Sequence, residues 1–335
     1  MNPLKELYTV IPVWKTNILI NQIIATDVVK NSMNSKTLIY ICGATAIGKT
    51  ALSIKLAQAF NTEIISCDSR QFYKEMRIGT AVPNSEELAA APHHFIQNMS
   101  ISKDYSVGDY EKESLSLTQK LFDKHDVLIL VGGSGLYADA LIEGLDYFPS
   151  IDPQIRIDLK AVLENQGIEV LQEKLKTVDL DSYNTLDIHN PQRLIRALEV
   201  FIGTGNTFSS YKKNNKSKRN FKTIRIGLEA DRALMYERIN LRVDLMMQEG
   251  LLDEVKSLEK FKALNAMQTV GYRELFRYLS GEIDLDFAIS EIKKNTRRFA
   301  KRQVTWNKRN PDIKWFDFQT PFSDILDYLK LALNG

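Results

Sequence analysis

Residues 43–50 carry the feature that most constrains the fold, a loop that matches the phosphate-binding pattern G-x-x-x-x-G-K-[ST] at every position. An apolar run, Thr37–Cys42, precedes this loop, and a run with helical character, Ala51–Ala57, follows it. The pattern works between a strand and a helix, where backbone N–H groups and the positive end of the helix dipole face a phosphate. The chain is therefore predicted to bind a phosphorylated ligand here.

The residues of this loop are predicted to contribute to phosphate binding in different ways. Gly43 and Gly48 let backbone N–H groups point inward, Lys49 adds a full positive charge, and the Thr50 hydroxyl is predicted to hold Mg²⁺. The predicted phosphate-binding residues are Gly43, Ala44, Thr45, Ala46, Ile47, Gly48, Lys49 and Thr50.

Composition places the chain among globular proteins. It has 335 residues, 44% apolar and 26% charged, with a formal net charge of +2. This length allows one large domain or two ordinary ones. Its two cysteines lie at the ends of apolar runs without zinc spacing, which indicates buried thiols in a reducing compartment. We therefore expect a cytoplasmic protein.

The first 35 residues are predicted to lie outside the fold as an N-terminal extension. Their apolar stretch, residues 17–25, is interrupted by Asn and Gln and is too short to cross a bilayer. It also has no clean apolar core or small-residue cleavage site of a signal peptide. Met33, just before the first strand, is a natural start. No membrane association is expected.

Short apolar runs predict a parallel sheet buried on both faces. Residues 63–67 end at Asp68, and residues 126–131 end at Gly132–Gly135, with a helix predicted between them at 110–122. Strands that alternate with helices predict an α/β class with a P-loop NTPase-like parallel core. Ligands of such sheets bind at the carboxyl ends of the strands, where residues 43–50, Asp68 and Gly132–Gly135 all fall.

The pattern of apolar residues changes after Pro149. Residues 153–203 have helical periodicity without a strand candidate, a polar segment follows at 204–220, and strands return at 223–228 and 313–316. The predicted organisation is an extension (1–35), a first part of the α/β core (36–148), an inserted all-helical domain (149–205) and a second part of the core (206–335) with basic C-terminal helices.

Positive charge is concentrated in two segments that contain no acidic residue. One lies between Glu199 and Glu229, and the other runs from Lys293 to Arg309. Such segments suit a polyanion, although a solvated helix face or loop gives the same composition.

Asp68 is the acidic residue best placed for chemistry. P-loop NTPases usually end a later strand with a carboxylate that holds Mg²⁺, but the strand at 126–131 ends in Val-Gly-Gly-Ser. The carboxylate appears instead after the second strand, where it can bind a metal or act as a base toward an acceptor. The alternative is a helix N-cap.

Several short motifs follow one another in a fixed order along the chain. They are Gly43–Thr50, Asp68–Gln71 with Tyr73, Ile78–Ala81 with Pro83, His93–His94, Gly132–Tyr137, Gln192–Val200, Arg238 with Arg242, Val270–Glu274 and Ala300–Trp306. Together they resemble the bacterial family of tRNA dimethylallyltransferases, also called tRNA isopentenyl transferases. The resemblance extends from about residue 37 to 316.

The chain departs from the family pattern at four positions. Ala44 replaces a proline, Ile47 a serine, Val82 a lysine and Asn307 an aromatic residue. These departures put the affinity of the site in doubt more than its reaction.

The resemblance implies transfer of a dimethylallyl group from dimethylallyl diphosphate to N6 of the adenine that lies 3′ of the anticodon, in tRNAs that read codons beginning with U. The family assigns Asp68 as the base, and it places Thr45 near the reacting groups and Arg238 and Arg242 on the leaving diphosphate. For the two arginines, the alternative is a helical salt bridge with Glu237 or Asp244; for Thr45, it is turn packing.

The resemblance also implies a set of tRNA contacts, with the amide of Gln71 reading the adenine edge through donor and acceptor together. The anticodon stem-loop is the expected partner, Mg²⁺ the expected cofactor and a monomer the expected state. The assigned tRNA-binding residues are Asp68, Ser69, Arg70, Gln71, Ser134, Arg156, Gln192, Arg193, Leu194, Ile195 and Arg196.

Two other functions remain open from the sequence. A P-loop kinase or an adenylate prenyltransferase that acts on a free nucleotide would also need the loop at 43–50. A non-catalytic RNA-binding protein with a relict nucleotide site would retain the basic segments without the reaction.

Overall fold

The computed structural model describes residues 36–212 and 218–334. The predicted N-terminal extension lies outside these residues. The chain divides into two compact units: a core unit, formed by the residues up to Ile142 together with those from Arg219 onward, and a helical unit, Glu143–Lys218.

A six-stranded parallel sheet organises the core unit, in the order β3-β2-β4-β1-β5-β6. The α/β class predicted from the sequence is confirmed. The strands are β1 (Thr37–Gly43), β2 (Ile64–Ser66), β3 (His93–His94), β4 (Val127–Val131), β5 (Lys222–Glu229) and β6 (Lys314–Asp317).

Helices connect the strands and make up the helical unit. In chain order they are α1 (Lys49–Ala59), α2 (Ser85–Ala90), α3 (Val107–Phe122), α4 (Gly135–Glu143), α5 (Pro153–Gln166), α6 (Ile168–Val178), α7 (Leu180–Thr185), α8 (Pro191–Thr204), α9 (Phe208–Tyr211), α10 (Arg232–Gln248), α11 (Leu251–Ser257), α12 (Tyr272–Leu279), α13 (Leu285–Asn307) and α14 (Phe322–Asn334). Two short 3₁₀ helices lie at Glu259–Phe261 and Asn265–Met267.

Strand β1 lies inside the sheet, between β4 and β5, and every one of its residues is buried. Successive side chains point to opposite faces, so Leu38 and Tyr40 enter one apolar cluster and Ile39 and Ile41 enter another. This continuous apolar run, covered on both faces, is typical of a parallel sheet.

The strand order places three loops side by side. Strands β2, β4 and β1 are neighbours, with Ser66 opposite Val131 and Val131 opposite Ile41. The loop at 43–50, Asp68 and Gly132 follow the ends of these strands, so the sheet brings together segments that are far apart in sequence.

The two-residue strand β3 was missed by the sequence analysis. His93 and His94 pair with Ile64 and Ile65 of β2. Two histidines carry no apolar signal, so only the pairing with β2 reveals the strand. Cys42 and Cys67 are fully buried thiols, as the sequence predicted.

The helical unit has its own core. Leu171, Leu175 and Leu198 pack with their neighbours from α5, α6 and α8 in one apolar cluster. Proline begins both α5 and α8, directly after an Asp or Asn whose side chain caps the first turn. An inserted all-helical unit was predicted and is confirmed, although α9 lies in the stretch that was predicted as a loop.

None of the helices in residues 36–212 and 218–334 combines the length and apolar character needed to span a membrane.

A close contact at the start of α4 gives a test of the packing. A Cβ at Gly135 would lie 2.2 Å from the Trp306 ring, whose Nε1 donates a hydrogen bond to Asp139 Oδ2 at 2.9 Å. We expect Gly135→Ala to lower the free energy of unfolding in urea by about 1–3 kcal/mol because the indole must move. The control is Gly108→Ala in α3, where the nearest atom is 3.6 Å away. Equal midpoints for the two variants would contradict this account.

Candidate functional site

The backbone of the loop at 43–50 adopts conformations that explain its glycines. Gly43 has φ of +137°, and a Cβ there would lie 2.6 Å from the carbonyl oxygen of Leu228 on β5. Gly48 has φ of +112° and is the N-cap residue of α1. Ala46 also has a positive φ, 64°, which is uncommon for a residue with a side chain. The loop thus lies between a strand and a helix, as the motif requires.

A cavity of about 420 Å³ opens over this loop. It brings together the residues predicted for the donor side of the site. They include Thr45, Lys49, Thr50, Asp68, Arg238 and Arg242.

Lys49 is half-buried, and its ammonium group is turned toward the loop itself. Its Nζ donates hydrogen bonds to the carbonyl oxygens of Gly43, at 3.1 Å, and Ala44, at 2.7 Å. The pKa of Lys49 is lowered to about 8, mainly by burial and secondly by the nearby Arg242 guanidinium, while Asp68 opposes the shift. An anion in the cavity would compensate this buried positive charge.

Two arginines of α10 reach the same loop from the other side of the cavity. The Arg238 Nε donates to the Ala46 carbonyl oxygen at 2.9 Å, and its guanidinium lies over the Phe318 ring at 5.0 Å. The Arg242 Nη1 lies 3.5 Å from the Thr45 hydroxyl. Asp244, one of the two salt-bridge partners considered from the sequence, binds Lys293 at 2.6 Å instead. The arginines therefore surround the loop with positive charge.

Asp68 lies in a turn, and no helix begins there, so the N-cap alternative is wrong. Its Oδ1 accepts a hydrogen bond from the Arg70 N–H at 3.1 Å, and its carbonyl oxygen accepts one from Gln71. A Cβ at Gly133 would approach Asp68 Oδ2 to 2.9 Å. The missing side chain of Gly133 leaves room beside the carboxylate.

The residues after Asp68 are held by hydrogen bonds to neighbouring loops. The Ser69 and Ser134 hydroxyls lie 2.9 Å apart. The Gln71 Nε2 donates to the carbonyl oxygens of Thr80 and Ala81. Both amide hydrogens of Gln71 are thus engaged, and in this arrangement only its carbonyl oxygen can read a base, a narrower role than the donor and acceptor pair that we predicted.

A second cavity of about 380 Å³ meets the first around Asp68. Its walls include Ser69, Ser134 and four arginines, Arg70, Arg242, Arg273 and Arg302. The residues that line both cavities are Thr45, Asp68, Thr80, Arg242 and Phe299. Asp68 therefore faces a cavity with the phosphate loop and a cavity with a basic wall.

Gln303 connects the two glycine-rich loops, a role that the sequence analysis missed. Its Oε1 accepts a hydrogen bond from the Thr45 N–H at 2.8 Å, and its Nε2 donates to the Gly133 carbonyl oxygen at 2.9 Å. Gln303 is 6% exposed, so this amide is fixed by burial as well as by hydrogen bonds. The motif Ala300–Trp306 contained Gln303 but did not indicate its partners.

Glu254 is a second residue that was missed. Its carboxylate accepts hydrogen bonds from the N–H groups of Arg77, Ile78 and Gly79 at 2.8–3.0 Å and from the Tyr272 hydroxyl at 2.5 Å. Gly79 has no room for a side chain, since a Cβ would lie 2.4 Å from the Tyr272 ring. Glu254 thus fixes the segment that leads to the carbonyl partners of Gln71.

The structure shows the surroundings of two residues that depart from the family pattern, Ile47 and Asn307. The Ile47 side chain is 2% exposed and packs in the apolar cluster that contains Ile39 and Ile41. Asn307 is buried, and its Nδ2 donates to the Gln303 carbonyl oxygen. Ile47 is therefore core packing, and any phosphate contact made there must come from the backbone.

The helical unit distributes the predicted tRNA-binding residues unequally. Arg156 and Arg196 both bind the carboxylate of Glu199, which is 4% exposed. Gln192 and Arg193 are exposed at the start of α8. Leu194 and Ile195 are fully buried in the core of the unit. A tRNA contact through the side chains of Leu194 and Ile195 is therefore excluded, and we correct that part of the prediction.

Much of the positive charge on α13 has internal partners. Lys293 binds Asp244, and Lys294 binds Glu291. The Arg297 Nη1 donates to Asn240 Oδ1 at 2.7 Å. This half of α13 is therefore less available to a polyanion than its sequence suggests, whereas Arg302 lines the second cavity.

Thr50 is the residue that fits a Mg²⁺ ion bound together with a ligand. The described residues contain no group of three His, Cys, Asp or Glu that could hold a metal by themselves. Mg²⁺ in phosphate sites commonly takes one or two protein oxygens and completes its shell with water and phosphate oxygens. The Thr50 hydroxyl beside Lys49 in the first cavity satisfies that requirement.

Comparison with known proteins gives consistent similarities. A family model described as "IPP transferase" matches residues 71–310. The chain is 58% identical to the tRNA dimethylallyltransferase of Christiangramia forsetii over 90% of this chain and 99% of that protein. It is 44% identical to tRNA dimethylallyltransferase 1 of Bacteroides fragilis over 90% of this chain and all of that protein.

Solved structures agree with the sequence relatives. The full-length tRNA isopentenylpyrophosphate transferase of Bacillus halodurans superposes with a TM-score of 0.67 at 35% identity, over 89% of this chain and 97% of that chain. A eukaryotic dimethylallyltransferase, in a study of its action on tRNA, gives a TM-score of 0.71 at 27% identity, over 85% of this chain and 75% of that chain.

The pKa of Lys49 predicts how anion affinity depends on pH. Free Lys49 is protonated below about pH 8 and loses its proton above that pH. A bound anion raises the pKa of Lys49, so binding above pH 8 must be accompanied by uptake of a proton. We expect the Kd for inorganic pyrophosphate, measured by calorimetry, to rise by up to about tenfold per pH unit above that value. Lys49→Arg keeps its charge and is the control. If the ratio of the wild-type Kd to the Lys49→Arg Kd stayed constant from pH 7 to 10, Lys49 would not be the group that controls the pH dependence.

The contacts of Glu254 predict an effect on stability that is separate from the phosphate loop. Glu254→Ala leaves three backbone N–H groups without their acceptor, so we expect a loss of about 1–3 kcal/mol in the free energy of unfolding. Tyr272→Phe removes one hydrogen bond and should cost about 1 kcal/mol. Pyrophosphate affinity should stay within twofold in both variants. A larger loss in Tyr272→Phe than in Glu254→Ala would show that the carboxylate does not organise this segment.

Proposed function

Since this chain belongs to the IPP transferase family, we propose that it transfers a dimethylallyl group from dimethylallyl diphosphate to N6 of an adenine in tRNA. The target is the adenine 3′ of the anticodon in tRNAs that read codons beginning with U. The observation that carries the proposal is the meeting of two cavities at Asp68, one with a phosphate loop and one with a basic wall.

The first cavity suits the donor. An allylic diphosphate breaks its C–O bond as negative charge grows on the leaving diphosphate, and charge that is already in place stabilises that transition state. Lys49, Arg238 and Arg242 supply positive charge around the loop. When Mg²⁺ is bound at Thr50 with the diphosphate, it neutralises part of the same negative charge.

The second cavity suits the acceptor. The target adenine must leave its stack to reach Asp68, as happens in other enzymes that modify bases. The Asp68 carboxylate accepts the proton from N6 as the C–N bond forms. Ser69 and Ser134 line this cavity. Gln71 lines the first cavity with Asp68, and its carbonyl oxygen is the remaining group of that amide for a donor of the adenine that reaches Asp68.

Thr45 lies where both substrates would meet. It lines both cavities, its N–H is held by Gln303, and its hydroxyl lies beside Arg242. We assign it a role in orienting the donor. Turn packing alone would not require these contacts, so they support a role for Thr45 in the site.

The tRNA backbone requires positive charge beyond that which surrounds the phosphate loop. Arg70, Arg273 and Arg302 in the wall of the second cavity would contact the nucleotides around the target base. In the helical unit, Gln192 and Arg193 are exposed, and Arg156 and Arg196 remain partly exposed beside Glu199. We assign these residues to the anticodon stem-loop.

The alternative functions explain less of the molecule. A kinase or a prenyltransferase for a free nucleotide has no need for a second cavity with four arginines in its wall. A non-catalytic RNA-binding protein has no need for a carboxylate between an anion site and a base site. We propose that the enzyme works as a monomer in the cytoplasm.

Nucleoside mass spectrometry of tRNA tests the function directly. Cells that lack this chain should lose N6-dimethylallyladenosine from their tRNA, and expression of the chain should restore it. Purified enzyme should transfer label from dimethylallyl diphosphate to tRNA and leave AMP unlabelled. Rapid ATP hydrolysis without use of the allylic donor would overturn the proposal.

Asp68→Asn separates catalysis from binding. The amide keeps the shape of the side chain but cannot take the proton, so we expect the single-turnover rate of transfer to fall by about 10²–10⁴-fold. Affinities for tRNA and pyrophosphate should stay within threefold. The exposed Asp312→Asn is the control. A wild-type rate in Asp68→Asn would remove the base from the mechanism.

A further inference from the structure

Phe299 differs in chemistry from the other residues that line both cavities. Thr45, Asp68, Thr80 and Arg242 are polar or charged, and Phe299 is the one apolar member of this set. The boundary between the cavities is also the place where a dimethylallyl group must pass from donor to acceptor.

The course of α13 explains this position. Ile292 and Thr296 line the second cavity, Phe299 lines both, and Gln303 lines the first. A spacing of four, three and four residues keeps these side chains on one face of a helix. The helix therefore runs along both cavities, and Phe299 stands where they join.

We propose that Phe299 is the apolar wall of the transfer point, which contacts the dimethylallyl group and excludes water from its reacting carbon. This inference rests on the proposed function and names a further residue that contacts the substrate. Phe299 is 36% exposed in the free protein, so its ring is available to a ligand.

The wall matters because water competes with adenine for the same carbon. In either reaction the C1–O bond to the diphosphate breaks and its electron pair leaves with the diphosphate. In transfer, the N6 lone pair forms the C1–N bond and Asp68 takes the proton. In hydrolysis, a water oxygen forms the C1–O bond, that water gives up one proton to the solvent, and the product is dimethylallyl alcohol. An apolar wall offers water no hydrogen-bond partner and disfavours the second outcome.

Arg302 indicates that the ring acts by its apolar surface rather than by binding a cation. The Arg302 guanidinium lies over the Phe299 ring at 5.8 Å, so a cation already occupies one face. A second positive charge on the developing allyl group would be opposed by the first. Leucine should therefore replace phenylalanine with little loss, whereas alanine should not.

The test measures the ratio of dimethylallyl alcohol to prenylated tRNA formed from labelled dimethylallyl diphosphate at saturating tRNA. We expect Phe299→Ala to raise this ratio by about tenfold, the size of effect that a small apolar group has in an enzyme pocket. Phe299→Leu should stay within twofold of the wild type. The matched control is Phe287→Ala on the same helix, where Phe287 is 48% exposed and lines neither cavity.

The outcomes separate this inference from the proposed function. Wild-type enzyme that transfers no label to tRNA would overturn the function itself. Normal transfer with an unchanged ratio in Phe299→Ala would overturn only the role of Phe299, provided that pyrophosphate affinity shows the variant is folded. An equal rise in the ratio of alcohol to prenylated tRNA in Phe299→Leu and Phe299→Ala would also overturn this role. Such a result would mean that the site requires an aromatic ring and not only an apolar side chain.

Discussion

The parallel pairing of β2, β4 and β1 is the constraint on which the rest of the site depends. Three neighbouring strands end at the same edge of the sheet, and each delivers one part of the site: the phosphate loop, Asp68 and the glycines at 132 and 133. The close approach of Gly43 to Leu228 fixes the loop against β5. Gln303 then ties the loop to Gly133 through a single buried amide. A shift in any of these strands would separate Asp68 from the loop at 43–50.

Burial of positive charge determines how strongly the loop at 43–50 favours an anion. Burial lowers the pKa values of Lys49 and Arg242, so both side chains carry their charge at a cost in free energy. An anion that neutralises them recovers part of that cost, which gives selectivity for a multiply charged ligand. In the absence of such a ligand, the carbonyl oxygens of Gly43 and Ala44 hold the Lys49 ammonium in place.

Sequence reasoning succeeded where the signal is local and failed where it depends on distant partners. The phosphate loop, the apolar strands and Asp68 lie in short segments whose pattern determines their structure. Gln303 could not be assigned a partner because Thr45 lies 258 positions away. Phe299 has an ordinary helical spacing, and only the packing of α13 places it at the junction of the cavities. The two-residue strand β3 exists because β2 pairs with it, and its sequence gives no strand pattern.

The shared carboxylate of Glu199 makes the two arginines of the helical unit mutually redundant. Loss of either guanidinium leaves this buried group with one counter-ion, and only the loss of both would leave its charge unpaired in an apolar surrounding. The two arginines therefore share one structural task, and neither is needed alone to keep the carboxylate paired. The core beneath Glu199 is thereby protected against the loss of a single surface cation.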